Sequence, residues 1–361
     1  MSPPTLALGA LVGALAKTLV DRVGGRRTVG DDAQKGRAGG DESIRDDKAA
    51  AETPRVSTTE TKRKTVVYMD GCFDTMHYGH ANALRQARAC GDVLLVGVVN
   101  DAEIRRCKGP PVCDEVERLE MVRACKWVDD VIEDVPYEVT DEFTDELFEK
   151  HGVDYVEIKR TEGVSTTDIE EEKEATFCTT SSRIAQFGTT RAIPANAKVV
   201  YVHGAFDVFN RGHIDLLRRA KTLGDFVLVG VHADAEVRSR RGADHPVLNE
   251  KERALSVLAC RYADEVVIGA PMKITHDLLT TFNVAVVVAE DEDEYLIGGE
   301  DVNALAMKRG VFRRVDREHD CSVLTVAKRI MENRAEFEAR NARKVKSESA
   351  YYAQKAHVAE T

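Results

Sequence analysis

The sequence predicts an α/β protein made of two consecutive parallel-sheet domains, and three observations carry that reading. The first is an internal repeat. Tyr68-Met69-Asp70-Gly71-Cys72-Phe73-Asp74 returns as Tyr201-Val202-His203-Gly204-Ala205-Phe206-Asp207, and Gly91-Asp92 returns at the same offset as Gly224-Asp225. The second is the order within each copy: an apolar run, a glycine turn, a helical stretch and a second apolar run, which implies parallel strands joined by right-handed crossovers. The third is length, since 361 residues leave room for two domains that each bury a core.

Composition narrows the function. Charged residues at 31% and hydrophobic residues at 43% describe a globular chain. A net charge of -11 argues against nucleic acid or an anionic membrane surface as the main partner, so an anionic ligand needs a local basic site. The eight cysteines form no Cys-x-x-Cys pair, which fits neither a zinc module nor a disulfide scaffold and points to a reducing compartment.

Residues 1–64 combine an apolar stretch, Leu6 to Val20, with a polar run that lacks periodicity and reads as a disordered linker. The apolar stretch is shorter than the ~30 Å bilayer core requires. It is compatible with a short signal-anchor, an organelle-targeting element or a tail, and so with a cytoplasmic protein attached to the cytosolic face of an organelle membrane. The first copy, 65–170, opens on the run at Val66 and Val67, turns at Gly71, and continues as a helix over Ala81 to Cys90 and a buried strand over Val93 to Val99. Residues 171–197 read as a linker. The second copy, 198–333, repeats the pattern with a helix over Ile214 to Leu223 and a strand over Phe226 to His232. Both copies then match through Lys108-Gly109 and Arg241-Gly242, and through Glu117-Arg118 and Glu252-Arg253. Residues 334–361 are charged and helix-forming, as a solvated helix on the second domain would be.

The copies differ in completeness. In the second, the strand Val284 to Val288 is followed by a polar loop, a helix around Val302 to Arg309 and a strand over Val311 to Val315. The first passes from Val156 straight into Glu157-Ile158-Lys159-Arg160, whereas a parallel crossover needs about a dozen residues. The first domain is therefore expected to lack a crossover helix and a strand, with Tyr155 to Ile158 as a single strand leading to Arg160.

Chemistry concentrates where the first apolar run meets its helix. His77 and His80 are three residues apart and share one face of a helix start, where unpaired N–H groups and partial positive charge favour an anion, a polyphosphate above all. Gly79 lets a phosphate approach the backbone, and Gly71 permits the turn. Two histidines at this spacing are, by themselves, more often ordinary surface or core residues. A zinc site is disfavoured because the His-Glu-x-x-His spacing is missing, and no dedicated metal cage is visible.

The stretch from Asp70-Gly71-Cys72-Phe73-Asp74 to His77-Tyr78-Gly79-His80, with Arg160-Thr161-Glu162-Gly163-Val164-Ser165-Thr166-Thr167 downstream, resembles the cytidylyltransferase family. The likeness runs from about Lys64 to the C-terminus. It implies two tandem Rossmann-like nucleotidyltransferase domains and transfer of cytidylyl from CTP to a small phosphomonoester. The tandem layout resembles the branch that uses phosphoethanolamine in phosphatidylethanolamine synthesis, since the choline-phosphate relative is built from one such domain. By resemblance His77 and His80 hold the triphosphate and stabilise the α-phosphate transition state, and Lys108 supplies a mobile point charge. Ser165, Thr166 and Thr167 would receive the leaving pyrophosphate at a helix start, with Thr166 among the catalytic candidates. Substrate-binding candidates are Gly71, Cys72, Phe73, Asp74 and Gly79 in the turn, with Arg160 and Gly163 in the downstream signature. Asp74 is expected to orient the turn and Arg118 to contact phosphate or cytidine. Trp127 is read either as a flank for the ethanolamine cation or as core. In the second copy Asn210 replaces the first histidine, and Ala205, Phe206, Asp207, Asn210, Gly212, His213, Arg241 and Arg253 are the matching nucleotide candidates. Magnesium is expected to arrive with the CTP, bridging its oxygens. Two other readings stay open: a cytidylyltransferase for another small phosphate such as choline phosphate, and a nucleotide-binding regulatory protein whose catalysis is lost with the gap after Val156.

Overall fold

The computed structural model describes residues 64–137, 156, 158, 161, 181–188, 192–290, 296–297, 300–316, 319 and 321–341. The apolar stretch Leu6 to Val20 and the site candidates Arg160, Gly163, Ser165, Thr166 and Thr167 lie outside the described residues. In the first repeat β1 (Val66–Gly71) is followed by α1 (Tyr78–Ala89), β2 (Val93–Val99), α2 (Asp101–Cys107), α3 (Glu115–Ala124) and β3 (Asp130–Val135). After α4 (Ser181–Phe187) the second repeat runs β4 (Val199–Gly204), α5 (Arg211–Thr222), β5 (Phe226–His232), α6 (Asp234–Arg241), α7 (Glu250–Ala259) and β6 (Glu265–Ala270). It continues with α8 (His276–Thr281), β7 (Val284–Glu290), an antiparallel pair β8 (Leu296–Ile297) and β9 (Glu300–Asp301), α9 (Ala304–Lys308), β10 (Phe312–Val315) and α10 (Val323–Glu332). β2 and β5 have the limits that their apolar runs predict, because a parallel strand covered on both faces needs a continuous run.

The second repeat forms a five-stranded parallel sheet in the order β10-β7-β4-β5-β6, and the described part of the first forms β1-β2-β3. The single strand expected through Tyr155 to Ile158 is not formed at Val156 or Ile158, the two of those residues described; Val156 is exposed and Ile158 half-buried. Residues 171–197 are also more than a linker. Phe187 of α4 is wholly buried, its ring stands edge-on to Trp127 at 4.9 Å, and its carbonyl accepts from Lys126 Nζ.

The repeats meet in a reciprocal contact. Cys125 and Cys260 pair as an isolated antiparallel bridge, the Lys126 N–H donates to the Ala259 carbonyl at 2.9 Å, and the Arg261 N–H donates to the Ala124 carbonyl at 2.8 Å. The Arg261 guanidinium reaches the carbonyls of Cys125 (2.7 Å) and Val128 (2.6 Å), and Arg218 donates to Glu120 at 2.5 Å. One apolar core runs through both repeats, from Leu84, Leu94 and Val122 to Leu217, Val229 and Leu255. The C-terminal residues expected to be solvated instead bury Phe337 against Val112 of the first repeat and Val208 of the second. Among the described residues no helix is long and apolar enough to cross a membrane.

Candidate active site

The turn from β1 to α1 holds two non-glycine residues in the left-handed region, Phe73 (φ 51°) and Thr75 (φ 44°), and the second repeat does the same with Phe206 (φ 51°) and Val208 (φ 41°). Such backbone costs about 1–3 kcal/mol per residue and persists only where its surroundings over-determine it. Here a buried carboxylate does so. Asp74 accepts the N–H groups of Val112 (2.9 Å) and Cys113 (2.8 Å), and Asp207 accepts those of Val247 (2.8 Å) and Leu248 (3.0 Å). Burial pushes the Asp74 carboxyl up, and the two N–H bonds oppose that shift. Asp74 and Asp207 thus tie the turn of each repeat to the loop before the following helix.

His77 is the N-cap of α1. Its Nδ1 accepts the Gly79 N–H at 3.1 Å, and the Nδ1 of His80 accepts the His77 N–H at 3.4 Å. With both Nδ1 atoms accepting, the neutral rings carry their protons on Nε2. The ring centres lie 4.1 Å apart, with His77 buried and His80 half-buried. In the second repeat Asn210 takes over the cap, accepting from Gly212 at 3.0 Å, while its Nδ2 turns back to the Val208 carbonyl at 3.1 Å. His213 keeps the reciprocal bond, accepting the Asn210 N–H at 3.1 Å.

Lys108 ends α2 with its Nζ 3.8 Å from the Cys72 sulfur and 5.1 Å from the centre of the Tyr137 ring. Gly109 follows at φ 98°, a left-handed hinge that Gly242 repeats at φ 101°. Burial pushes the Cys72 thiol up, and Lys108 draws it part of the way back. The Phe73 ring lies 5.8 Å from that of His80, so Cys72, Phe73, His77, His80 and Lys108 gather at one turn. The downstream signature joins them through Thr161. Its Oγ1 accepts from the buried Asn82 at 3.0 Å, two residues beyond His80, and Arg183 of α4 holds the Asn82 Oδ1 at 2.8 Å.

Arg118, Arg253 and Trp127 sit among protein partners. Arg118 is wholly buried and donates to the Cys72 carbonyl and to Asp101, both at 2.8 Å; Arg253 is its counterpart, bonded to the carbonyls of Leu248 (2.9 Å) and His232 (2.7 Å) and to Asp234 (2.6 Å). A buried guanidinium must satisfy its donors. These two spend most of their donors on the turn and its neighbours and so buttress the site, while Arg118 Nε is buried without a hydrogen-bond partner among the described residues. Trp127 is half-buried against the core, with Lys126 Nζ 5.0 Å from its ring centre and Phe187 edge-on to it.

The second repeat encloses a cavity of about 540 Å³, lined by Ala205 and Phe206 of the turn, Asn210, Gly212 and His213 at the start of α5, Arg240 and Arg241 at the end of α6, and Cys321 and Ser322 at the start of α10. Ser322 caps α10, its Oγ accepting the Thr325 N–H at 3.3 Å. A Cβ on Gly212 would lie 2.3 Å from the Cys321 carbonyl oxygen, so glycine is what lets the two helix starts approach. Two helix N-termini and two arginines facing one space suit an anion.

The sequence reading missed a buried histidine pair on the same wall. His203 Nδ1 lies 3.0 Å from His232 Nε2, and His203 Nε2 lies 2.9 Å from Asn303 Oδ1. Burial lowers the affinity of both rings for a proton, and for His232 the neighbouring His203 adds to it. The available signal was a histidine at 203 where the first copy has Asp70. Among the described residues no group of His, Cys, Asp and Glu is arranged to hold a metal ion.

The family described as Cytidylyltransferase-like matches residues 68–175 and again 201–338. The chain is 40% identical to the ethanolamine-phosphate cytidylyltransferase of Arabidopsis thaliana, with 82% of this chain and 87% of that one covered. It is 36% identical to the enzyme of that name from Mus musculus, covering 85% and 96%. The choline-phosphate cytidylyltransferase 2 of Arabidopsis thaliana is 39% identical, over 31% of this chain and 45% of that one.

Proposed function

The chain belongs to the cytidylyltransferase-like family, within it to the ethanolamine-phosphate cytidylyltransferases, and we propose that its first repeat carries the reaction. The reaction transfers cytidylyl from CTP to phosphoethanolamine, giving CDP-ethanolamine and pyrophosphate. A phosphate oxygen of phosphoethanolamine attacks the α-phosphorus of CTP; that P–O bond forms while the bond from the α-phosphorus to the pyrophosphate oxygen breaks. The protein supplies positioning and charge stabilisation and needs no covalent intermediate.

The observation that supports this assignment most is the histidine pair of α1, whose Nδ1 atoms are tied to backbone N–H groups so that both Nε2–H groups are donors. Such preorganised donors stabilise charge as it builds on the α-phosphate oxygens. Lys108, exposed beside the Gly109 hinge, follows the phosphates as a mobile charge. Ser165, Thr166 and Thr167 are assigned to the departing pyrophosphate, by analogy with the helix start at Ser322 in the second repeat. The side chains gathered at the first site are imidazole and ammonium, poor partners for a hard cation that prefers oxygen. Magnesium would then arrive with the CTP and would supply charge neutralisation to its triphosphate.

The second repeat is assigned nucleotide binding without turnover, using Ala205, Phe206, His213 and Arg241, because Asn210 stands where the first repeat has the imidazole of His77 and leaves this helix start with one imidazole in place of two. Phosphoethanolamine is favoured over choline phosphate because the likeness to the ethanolamine-phosphate enzymes covers both repeats. The two repeats are assigned to the cytoplasm, with Leu6 to Val20 as an attachment to the cytosolic face of an organelle membrane. Pyrophosphate release from CTP, measured with phosphoethanolamine and separately with choline phosphate, tests the acceptor. Release with choline phosphate alone would reverse the choice, and CTP binding without release in either case would select the regulatory reading.

A further inference from the structure

α10 belongs to the second repeat by sequence but is clamped to the first. Its opening residues, Ser322 to Leu324, line the second-repeat cavity. Two turns on, Arg329 forms a two-pronged ion pair with Glu117 of the first repeat, Nη1 to Oε2 at 2.5 Å and Nη2 to Oε1 at 3.1 Å, and Nη1 also donates to the Val112 carbonyl at 3.3 Å. The Glu117 side chain is 7% exposed, so the pair is shielded on its acidic side. Cys321, next to the α10 cap, touches the same carboxylate: burial first, then Glu117, push its thiol up to about 11.

Glu117, in the first turn of α3, closes the loop that carries Lys108. Its Oε2 accepts the Asp114 N–H at 3.0 Å in the cap of α3, and Val112 and Cys113 just before it donate both N–H groups to Asp74 in the histidine turn. Val112 also packs with Val326 of α10 and with Phe337. The loop from Lys108 to Asp114 is thus held from the catalytic turn, from its own helix cap and from the other repeat.

We propose that Arg329 is a positioning residue for Lys108 of the first repeat, and that α10 couples occupancy of the second-repeat cavity to turnover in the first. The proposal rests on the reading that the first repeat carries the chemistry. An anion at the start of α10 biases the position of a short rigid helix, and a bidentate pair transmits both distance and angle. Linkage makes the effect on binding reciprocal, so nucleotide in either repeat tightens nucleotide in the other.

The test uses the full chain with Arg329→Gln and Arg329→Lys, read by steady-state kinetics with CTP and phosphoethanolamine and by amide hydrogen exchange. Arg329→Gln is expected to lower kcat about ten- to a hundredfold with a smaller change in KM for CTP, because a displacement of about 1 Å in a catalytic group costs that much. Exchange at Val112 and Cys113 should speed up about tenfold while β4 and β5 stay protected. Arg329→Lys should recover part of both, and if Arg329→Gln does not fold, the lysine variant carries the same readouts at intermediate size. Adding Arg241→Ala should lower turnover in the parent chain and add little to Arg329→Gln. Unchanged kcat, or unchanged exchange at Val112 and Cys113, overturns the positioning role; fully multiplicative losses from Arg241→Ala and Arg329→Gln overturn the coupling. If His80→Ala retains turnover, the assignment of chemistry to the first repeat fails instead, and exchange at the two amides still decides the clamp.

Discussion

Each imidazole at the start of α1 uses one nitrogen to close the helix and thereby sets the proton on the other. Removing one preorganised donor typically costs about 10²- to 10³-fold in rate. His80→Ala is therefore expected to remove most turnover at saturating CTP and phosphoethanolamine, while His213→Ala alters affinity or stability; the opposite ranking would move the active site to the second repeat. The His203–His232 pair works by a different principle. Both folded rings hold protons more weakly than the ordinary value of 6.5, so the unfolded chain takes up protons first as pH falls. Their contribution to stability is full above about pH 6.5 and is lost as pH drops toward the lowered folded values. Replacing both by glutamine should shrink the fall in denaturant midpoint between about pH 7.5 and 5.5. An undiminished fall would place that titration elsewhere.

The two helix starts of the second repeat approach so closely that one hydrogen separates them from collision. Gly212→Ala would set a Cβ 2.3 Å from the Cys321 carbonyl oxygen, and backbone on both sides must give way. The expected cost is about 1–3 kcal/mol, typical of overpacking. It should appear as a lower urea midpoint together with weaker CTP binding, titrated in a chain that also carries His80→Ala so that the ligand is not consumed. Wild-type binding in that variant would show that the gap between α5 and α10 is not where the nucleotide sits. The turns themselves were legible as elements because glycine punctuation and apolar runs are local signals. Their left-handed Phe73 and Val208 were not, since nothing in those residue types announces a backbone imposed by Asp74 and Asp207.

At the scale of the molecule, the repeats are joined by a shared core and by Arg261, whose guanidinium serves two carbonyls of the first repeat. Bonds from a charged donor are worth about 1.5–3 kcal/mol each, so Arg261→Ala should lower the stability of the whole unit by about 2 kcal/mol or more. Unfolding should remain a single transition; two separated transitions would show that the repeats are independent. Deleting the residues before Lys64 is expected to leave turnover intact and change only fractionation. Loss of turnover in that variant would mean that the segment helps to build the site.

The duplication, the limits of β2 and β5, and the placing of His77 and His80 at a helix start were determined by the sequence alone, because each rests on neighbours in the chain: a repeat at constant offset, a continuous apolar run, two histidines three residues apart after a glycine turn. Which arginines line the cavity was decided by the tertiary structure. Arg118 and Arg253 have the same side chain as Arg241, yet they are buried on turn carbonyls while Arg241 lines the cavity. The same holds for Arg329, a residue in a charged helix until Glu117, from the other repeat, arrives beside it. A guanidinium binds whatever acceptor lies within reach, and the acceptors here come from segments far apart in the chain, so only the fold determines which one it meets.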